Sequence, residues 1–157
     1  MMHNAESQHG RNQNTLVRAA SHQLTRPNVT IKILIVDDNR TFVAAVRQFL
    51  GAMPEAEVIG EAYDGHEALV QARQLQPDLV LLDINMPLIN GLDVARRLLA
   101  WPQAPKIIFL SMHNSPLYRA AALDLGATSF VGKADFVDEL PPIIEKMASA
   151  KPGTADC

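Results

Sequence analysis

Five polar side chains of this sequence stand at or just after the ends of apolar, strand-like runs. Three are carboxylates, one is a hydroxyl and one is an amine: Asp37, Asp38, Asp83, Ser111 and Lys133. Carboxylates gathered in one site repel each other, at a cost of roughly 3 kcal/mol for a pair about 5 Å apart at an effective dielectric of about 20. Such a site favours a divalent cation that prefers oxygen ligands, such as Mg2+, with the amine as a fixed positive charge.

The chemistry that suits this set is phosphoryl transfer. A metal ion, an ammonium and a hydroxyl can neutralise and align a phosphoryl group, and a carboxylate can accept it as an aspartyl phosphate. Asp83 is the predicted acceptor because it closes an aliphatic run, 79–83, of the kind that is covered on both faces. Taken singly, an aspartate pair is usually a turn and helix cap, a serine a strand-end hydroxyl and a lysine a surface residue. Their joint placement favours the chemical interpretation.

The elements that must position these side chains are predicted strands separated by helical segments. The predicted strands are 31–36, 56–63, 79–83, 106–110 and 128–131. Their alternation with helices predicts an α/β fold with a doubly wound parallel sheet between two layers of helices. The carboxyl ends of parallel strands share one edge, so the polar side chains are expected to meet there. The last strand is short and more polar, which predicts a position at the side of the sheet.

The predicted helices are amphipathic. The first, capped by Asp38 or Asn39, is expected to bury one apolar stripe, formed by Phe42, Ala45, Val46, Phe49 and Leu50. The last contains the pair Pro141-Pro142. Proline is tolerated in the first turn, where N–H groups have no partner within the helix, so this helix is predicted to begin near Asp138.

Composition and charge limit the function classes. A chain of 157 residues that is 48% hydrophobic has room for one domain, and a net charge of −3 with scattered basic residues predicts no nucleic-acid binding. The apolar runs are shorter than the ~20 residues that span a bilayer, and the first residues lack a secretion signal, which together predict a cytoplasmic protein. The lone cysteine, Cys157, excludes an internal disulfide. Residues 1–29 are predicted to be a disordered extension, 30–150 the domain and 151–157 a flexible tail.

The chain resembles the response-regulator receiver domain of two-component signalling over about residues 31–148. The resembling motifs are Val36-Asp37-Asp38, Asp83-Ile84-Asn85-Met86-Pro87 with Gly91, Leu110-Ser111-Met112-His113, and Gly126-Ala127-Thr128-Ser129-Phe130-Val131-Gly132-Lys133. The resemblance implies a flavodoxin-like, three-layer α/β/α sandwich whose five parallel strands are ordered 2-1-3-4-5.

The resemblance also implies a metal site and a modified residue. Asp38 and Asp83 are expected to bind Mg2+ together with the backbone carbonyl of Asn85, while Asp37 holds a metal-bound water. Asp83 is expected to carry the phosphoryl group as 4-aspartylphosphate.

Two further residues, Ser111 and Lys133, are expected to hold phosphoryl oxygens. Phe130 matches the aromatic switch position, which turns inward when the Ser111 loop closes on the phosphate. The sequence departs from the family pattern in three places. Ala134 follows the lysine where many receivers have proline, Met112 is bulkier than the small residue often found after the serine, and Phe130 lacks a tyrosine hydroxyl. The inward state of Phe130 is therefore expected to rest on packing alone.

The predicted function is that of a stand-alone receiver in a phosphorelay. A sensor histidine kinase or phosphotransfer protein would supply the phosphoryl group, and the fourth helix, fifth strand and fifth helix would form a switched face for an unknown downstream protein. A homodimer that forms on phosphorylation is compatible with this predicted function. Such a protein catalyses only its own phosphorylation and dephosphorylation, so it is not expected to be an enzyme with turnover.

Three other functions remain as alternatives. The chain could be the regulatory receiver fragment of a DNA-binding transcription factor. It could be an aspartate-nucleophile phosphatase, although that chemistry usually needs a second acid two residues after the nucleophile, where Asn85 stands. It could also bind a flavin or nucleotide, but no glycine-rich loop follows the first strand.

Overall fold

The computed structural model describes residues 29–113 and 115–152, and the compact unit within them is Thr30–Ala150. The predicted disordered extension and flexible tail lie outside the described residues, apart from positions 29, 151 and 152. The strands are β1 (Ile31–Val36), β2 (Ala56–Ala62), β3 (Leu79–Leu82), β4 (Lys106–Ser111) and β5 (Ser129–Gly132). The helices are α1 (Arg40–Gly51), α2 (Gly65–Leu75), α3 (Gly91–Leu99), α4 (Pro116–Leu125) and α5 (Phe136–Ala150), with a 3-10 turn at Lys133–Asp135. No helix in these ranges is both long enough and apolar enough to cross a membrane.

The strands form one parallel sheet in the order β2-β1-β3-β4-β5. This confirms the predicted doubly wound fold and the position of β5 at the side of the sheet. The register aligns the strand ends, because Val36 pairs with Leu82 and Leu82 with Phe109. Residues that follow these strands therefore start from the same edge.

The sheet is covered on both faces. One core cluster joins alternate strand residues to α2, α3 and α4, and the other joins the remaining strand residues to α1 and α5. All four residues of β3 are fully buried, because the central strand has helices on both sides. This explains why the sequence of β3 is a continuous aliphatic run.

Helix α1 buries a different stripe from the predicted one. Val43, Val46 and Leu50 are fully buried against the sheet, whereas Ala45 is exposed. Phe42 and Phe49 are half-buried at the margin of this stripe, where both rings contact a ring of α5. The buried face of α1 differs from the predicted face because the branched side chains of α1 pack on the strands, whereas its aromatic rings pack on α5.

The prediction for the start of the last helix is wrong. Helix α5 begins at Phe136, directly after the 3-10 turn, so Pro141 and Pro142 lie inside it. Each proline removes an N–H donor from the helix interior. Leu140 and Ile144 are fully buried on one face of α5, and this packing offsets the missing hydrogen bonds.

Candidate functional site

Three carboxylates come together at the carboxyl edge of the sheet. Asp37 and Asp38 follow β1 and Asp83 follows β3, and one carboxylate oxygen of each lies within 4.8 Å of the others. Backbone hydrogen bonds fix the residues that follow β1 and β3. The Asp37 N–H donates to the Ala62 carbonyl (3.0 Å), and the Asp83 N–H donates to the Val36 carbonyl (3.0 Å). Asp37 and Asp83 are buried and Asp38 is exposed, so the cluster opens to solvent on one side.

The ammonium of Lys133 supplies positive charge to this cluster. Its Nζ lies 2.6 Å from Asp37 Oδ2 and 3.6 Å from Asp83 Oδ2, and the lysine side chain is only 8% exposed. The pair with Asp37 is an ionic contact rather than an aligned hydrogen bond, because Asp37 Oδ2 has no hydrogen-bond partner among the described residues. Lys133 reaches the cluster because it begins the 3-10 turn directly after β5.

The carboxyl group of Asp83 has a raised pKa. Burial raises the pKa of its carboxyl to about 6, and the neighbouring Asp37 carboxylate adds to the rise. Lys133 and a hydrogen bond from the Asn85 backbone N–H act in the opposite direction. Asp83 is therefore mostly ionised at neutral pH, yet it carries that charge in a buried place. A carboxylate in this state is a competent nucleophile that attracts cations.

Gly91 fixes the backbone that carries Asp83. Its N–H donates to the Ile84 carbonyl at 2.7 Å, and a Cβ at this position would lie 1.9 Å from the carbonyl oxygen of Asp83. Only glycine permits so close an approach. Asn90 caps α3 by accepting from the Asp93 N–H (3.0 Å), which anchors the far end of the same loop. The loop after β3 is thus held at both ends.

Ser111 ends β4 at the same edge and is buried, one strand further along the sheet from Asp83. Its Oγ accepts a hydrogen bond from the His113 N–H (3.1 Å) within its own loop. Asn85 is exposed in the loop after β3. The structure therefore brings Asp37, Asp38, Asp83 and Lys133 into one cluster. Ser111 lies at the end of the neighbouring strand and Asn85 on the loop after β3.

Residues 33–145 match the family model of the response regulator receiver domain. The chain belongs to this family.

Proteins of several organisms are similar to the chain. The transcriptional regulatory protein DegU of Brevibacillus brevis is 33% identical over 118 residues, 75% of this chain and 50% of DegU. A protein-glutamate methylesterase/protein-glutamine glutaminase of Idiomarina loihiensis is 36% identical over 106 residues, 67% of this chain and 28% of that protein. The solved signal receiver domain of NarL from Mycobacterium tuberculosis superposes with a TM-score of 0.72 at 28% identity, covering 78% of this chain and 99% of that domain. The chain thus spans half or less of these two curated relatives.

Phe130, the predicted switch residue, has an additional partner. Phe130 is buried, and the guanidinium of Arg119 lies 5.1 Å from the centre of its ring. The expectation that its inward state rests on packing alone is therefore incomplete, because a cation also lies over the ring. The sequence signal was weak, since Arg119 is one of several basic residues on exposed helix faces.

Sequence reasoning missed a second aromatic residue at the receiver site. Phe42 was assigned to the core stripe of α1, but the ammonium of Lys133 lies 4.7 Å from the centre of its ring. Its place in the first turn of α1, close after the two aspartates, was the available signal. Periodicity alone does not distinguish a ring that faces the core from one that faces a charged site.

Proposed function

We propose that this receiver domain accepts a phosphoryl group on Asp83 with the help of Mg2+, and that a histidine kinase or phosphotransfer protein supplies the group. The observation that supports the proposal best is the cluster itself. A buried nucleophilic carboxylate lies between two further carboxylates and a buried ammonium at the sheet edge. Phosphoryl transfer depends mainly on charge neutralisation and alignment, which such a cluster supplies.

The donor set fits magnesium. The three carboxylate oxygens are hard ligands close enough together to share one ion, and the exposed Asp38 leaves the site accessible from solvent. Asp38 and Asp83 would hold the ion with the backbone carbonyl of Asn85, and Asp37 would hold a metal-bound water. When bound, Mg2+ would neutralise charge on the carboxylates and on the incoming phosphoryl oxygens.

The remaining residues act on the transferred group. A carboxylate oxygen of Asp83 attacks phosphorus, the new O–P bond forms, and the P–N bond to the donor imidazole breaks with its electron pair going to the leaving nitrogen. Lys133 would pair with one phosphoryl oxygen and Ser111 would donate its hydroxyl hydrogen to another. Ser111 Oγ accepts the His113 N–H through a lone pair, so its hydroxyl hydrogen can still be donated to a phosphoryl oxygen.

A second candidate function concerns the output. The similarity to DegU, which is named a transcriptional regulatory protein, supports a role as the regulatory receiver of a DNA-binding factor. A receiver that acts on a separate downstream protein is the other form of the same switch. Both forms would use the face of α4, β5 and α5, where Leu117 is 83% exposed and Met112, in the loop before it, is 75% exposed. Genomic sequence that continues in frame beyond Cys157 into a DNA-binding domain would favour the first form.

Mass spectrometry tests the phosphoryl acceptor. Incubation with Mg2+ and acetyl phosphate should add one phosphoryl mass to the protein, and Asp83→Ala should abolish it. Asp124→Asn, which alters an exposed aspartate of α4, is the matched control and should label like the wild type. Labelling that survives in Asp83→Ala would place the acceptor elsewhere, and turnover of a generic phosphoester would favour a phosphatase.

A further inference from the structure

The ammonium of Lys133 has three neighbours on different elements. Two are the carboxylates of Asp37 (2.6 Å) and Asp83 (3.6 Å), and the third is the ring of Phe42, whose centre lies 4.7 Å away. The face of an aromatic ring carries negative charge density, and its attraction for a cation strengthens when water is excluded. The lysine side chain is only 8% exposed, so this contact is largely desolvated.

Phe42 is tied to the same frame as the carboxylates. The Asn39 N–H donates to Asp37 Oδ1 (2.9 Å), and the Asn39 side chain accepts from the Phe42 N–H (3.1 Å). Lys133 contacts both the Phe42 ring and the Asp37 carboxylate. Each of the four residues Asp37, Asn39, Phe42 and Lys133 therefore contacts two of the others. Behind the ring, Phe136 packs edge-on with the ring centres 5.5 Å apart. The ring therefore has a defined place relative to the site.

We propose that Phe42 is a positioning residue for phosphoryl transfer: its ring holds the Lys133 ammonium beside Asp83, where the phosphoryl oxygens arrive. This inference rests on the proposed function. A lysine stem is flexible, so an ammonium without this ring would spend less time in the productive place. The reaction itself is unchanged. With acetyl phosphate, the bond from Asp83 to phosphorus forms, the P–O bond to acetate breaks, and acetate leaves with the electron pair.

A pair of leucine variants tests the role. Phe42→Leu removes the ring that faces Lys133, and Phe49→Leu removes a ring of the same helix that also packs on Phe136, at 5.4 Å, about two turns further along. The maximal rate of Asp83 phosphorylation by acetyl phosphate with Mg2+ should fall about tenfold in Phe42→Leu. It should stay near the wild-type rate in Phe49→Leu. An equal fall in both variants would assign the effect to general packing and overturn the inference.

Two further measurements separate the effect of the negative charge density on the ring face from the effect of the ring volume. Fluorinated phenylalanines at position 42 withdraw density from the ring face while nearly keeping its shape, so the rate should fall stepwise with each added fluorine. The ε-methylene protons of Lys133 should show an upfield ring-current shift in NMR spectra of the wild type and Phe49→Leu, and lose it in Phe42→Leu. A rate that is independent of fluorination, or a shift that survives in Phe42→Leu, would overturn the inference.

The proposed function and the role of Phe42 can fail separately. If the wild type takes up no phosphoryl group on Asp83, the proposed function fails and the kinetic role of Phe42 fails with it. If the wild type labels on Asp83 and Phe42→Leu labels equally fast, the proposed function stands and only the role of Phe42 is overturned.

Discussion

The carboxyl group of Asp83 is buried beside another buried carboxylate, and its pKa is raised to about 6. In the unfolded chain the same group ionises near its ordinary, lower pKa. The charge of Asp83 therefore costs folding free energy at neutral pH, a cost that the proposed function explains because it needs an ionised carboxylate as the nucleophile. Residues selected for function in this way are expected to be replaceable with a gain in stability.

The first prediction follows from this cost. Asp83→Asn keeps the shape of the side chain and removes the charge, so it should raise the free energy of unfolding by about 1–3 kcal/mol at pH 7–8 without Mg2+. Because the pKa is raised from 3.8 to about 6 in the folded state, the cost in the wild type is absent well below pH 4, where the carboxyl is protonated in both states, and it grows as pH rises from about 4 to 6. The difference in the free energy of unfolding between Asp83→Asn and the wild type should therefore be near zero well below pH 4 and should grow as pH rises towards 6.

Urea unfolding at a series of pH values measures this difference. Asp124→Asn removes an exposed carboxylate and is the control, for which we expect a change near zero at every pH. If Asp83→Asn were less stable than the wild type at pH 8, the ionised carboxylate would be a stabilising group and the account of its burial would be wrong.

At the scale of the elements, the loop between β3 and α3 passes very close to the backbone at Gly91. A Cβ at position 91 would lie 1.9 Å from the Asp83 carbonyl oxygen and 2.8 Å from the Ile84 Cα, both in backbone that cannot give way cheaply. The β3–α3 connection would have to move, and Asp83 would move with it. Stability and phosphorylation are therefore coupled at this position.

The second prediction tests that coupling. Gly91→Ala should lower the free energy of unfolding by about 2–4 kcal/mol and also slow phosphorylation of Asp83. Gly51→Ala is the matched control, because an added Cβ there meets nothing within 4 Å, and we expect it to be neutral or slightly stabilising. Chemical denaturation and the acetyl phosphate reaction measure the two effects. A Gly91→Ala protein with wild-type stability and rate would show that the loop adapts freely.

The third prediction concerns the prolines inside α5. Pro142 is exposed, so Pro142→Ala loses little packing and restores an N–H that can donate to a carbonyl one turn earlier. The variant should be more stable by about 1–3 kcal/mol in thermal or urea unfolding. Pro116→Ala, at the start of α4 where proline is well tolerated, should give no such gain. Equal changes in both variants would mean that the position within the helix does not matter.

Much of the architecture could be predicted because β1, β3 and β4 are short apolar runs and each leads directly to a polar residue, namely Asp37, Asp83 and Ser111. The edge that gathers Asp37, Asp83 and Lys133 then follows from the parallel topology. The face of α1 could not be predicted, because Phe42 and Phe49 fit the same periodic stripe as the core residues although their rings turn to α5. Contacts such as Arg119 with Phe130 depend on the packing of separate helices and strands, which a local pattern does not specify.

At the scale of the whole molecule, the site joins β1, β3 and the segment after β5, which are brought together only in the folded sheet. A cation that binds the three carboxylates binds the folded state and has no comparable site in the unfolded chain. Its binding should therefore stabilise the entire domain by mass action. The contact of Lys133 with Asp83 likewise forms only when the sheet is formed.

The fourth prediction uses this linkage. Mg2+ at about ten times its dissociation constant should raise the free energy of unfolding of the wild type by about 1.4 kcal/mol, because binding adds RT ln(1 + [L]/Kd). Asp38 is exposed, so Asp38→Asn should fold normally while losing most of the Mg2+ effect. Asp124→Asn should keep it. Thermal unfolding with and without Mg2+, at constant ionic strength, separates binding from salt screening. Equal stabilisation of all three proteins would show that Mg2+ acts as a general salt, and the carboxylate cluster would then not be the metal site.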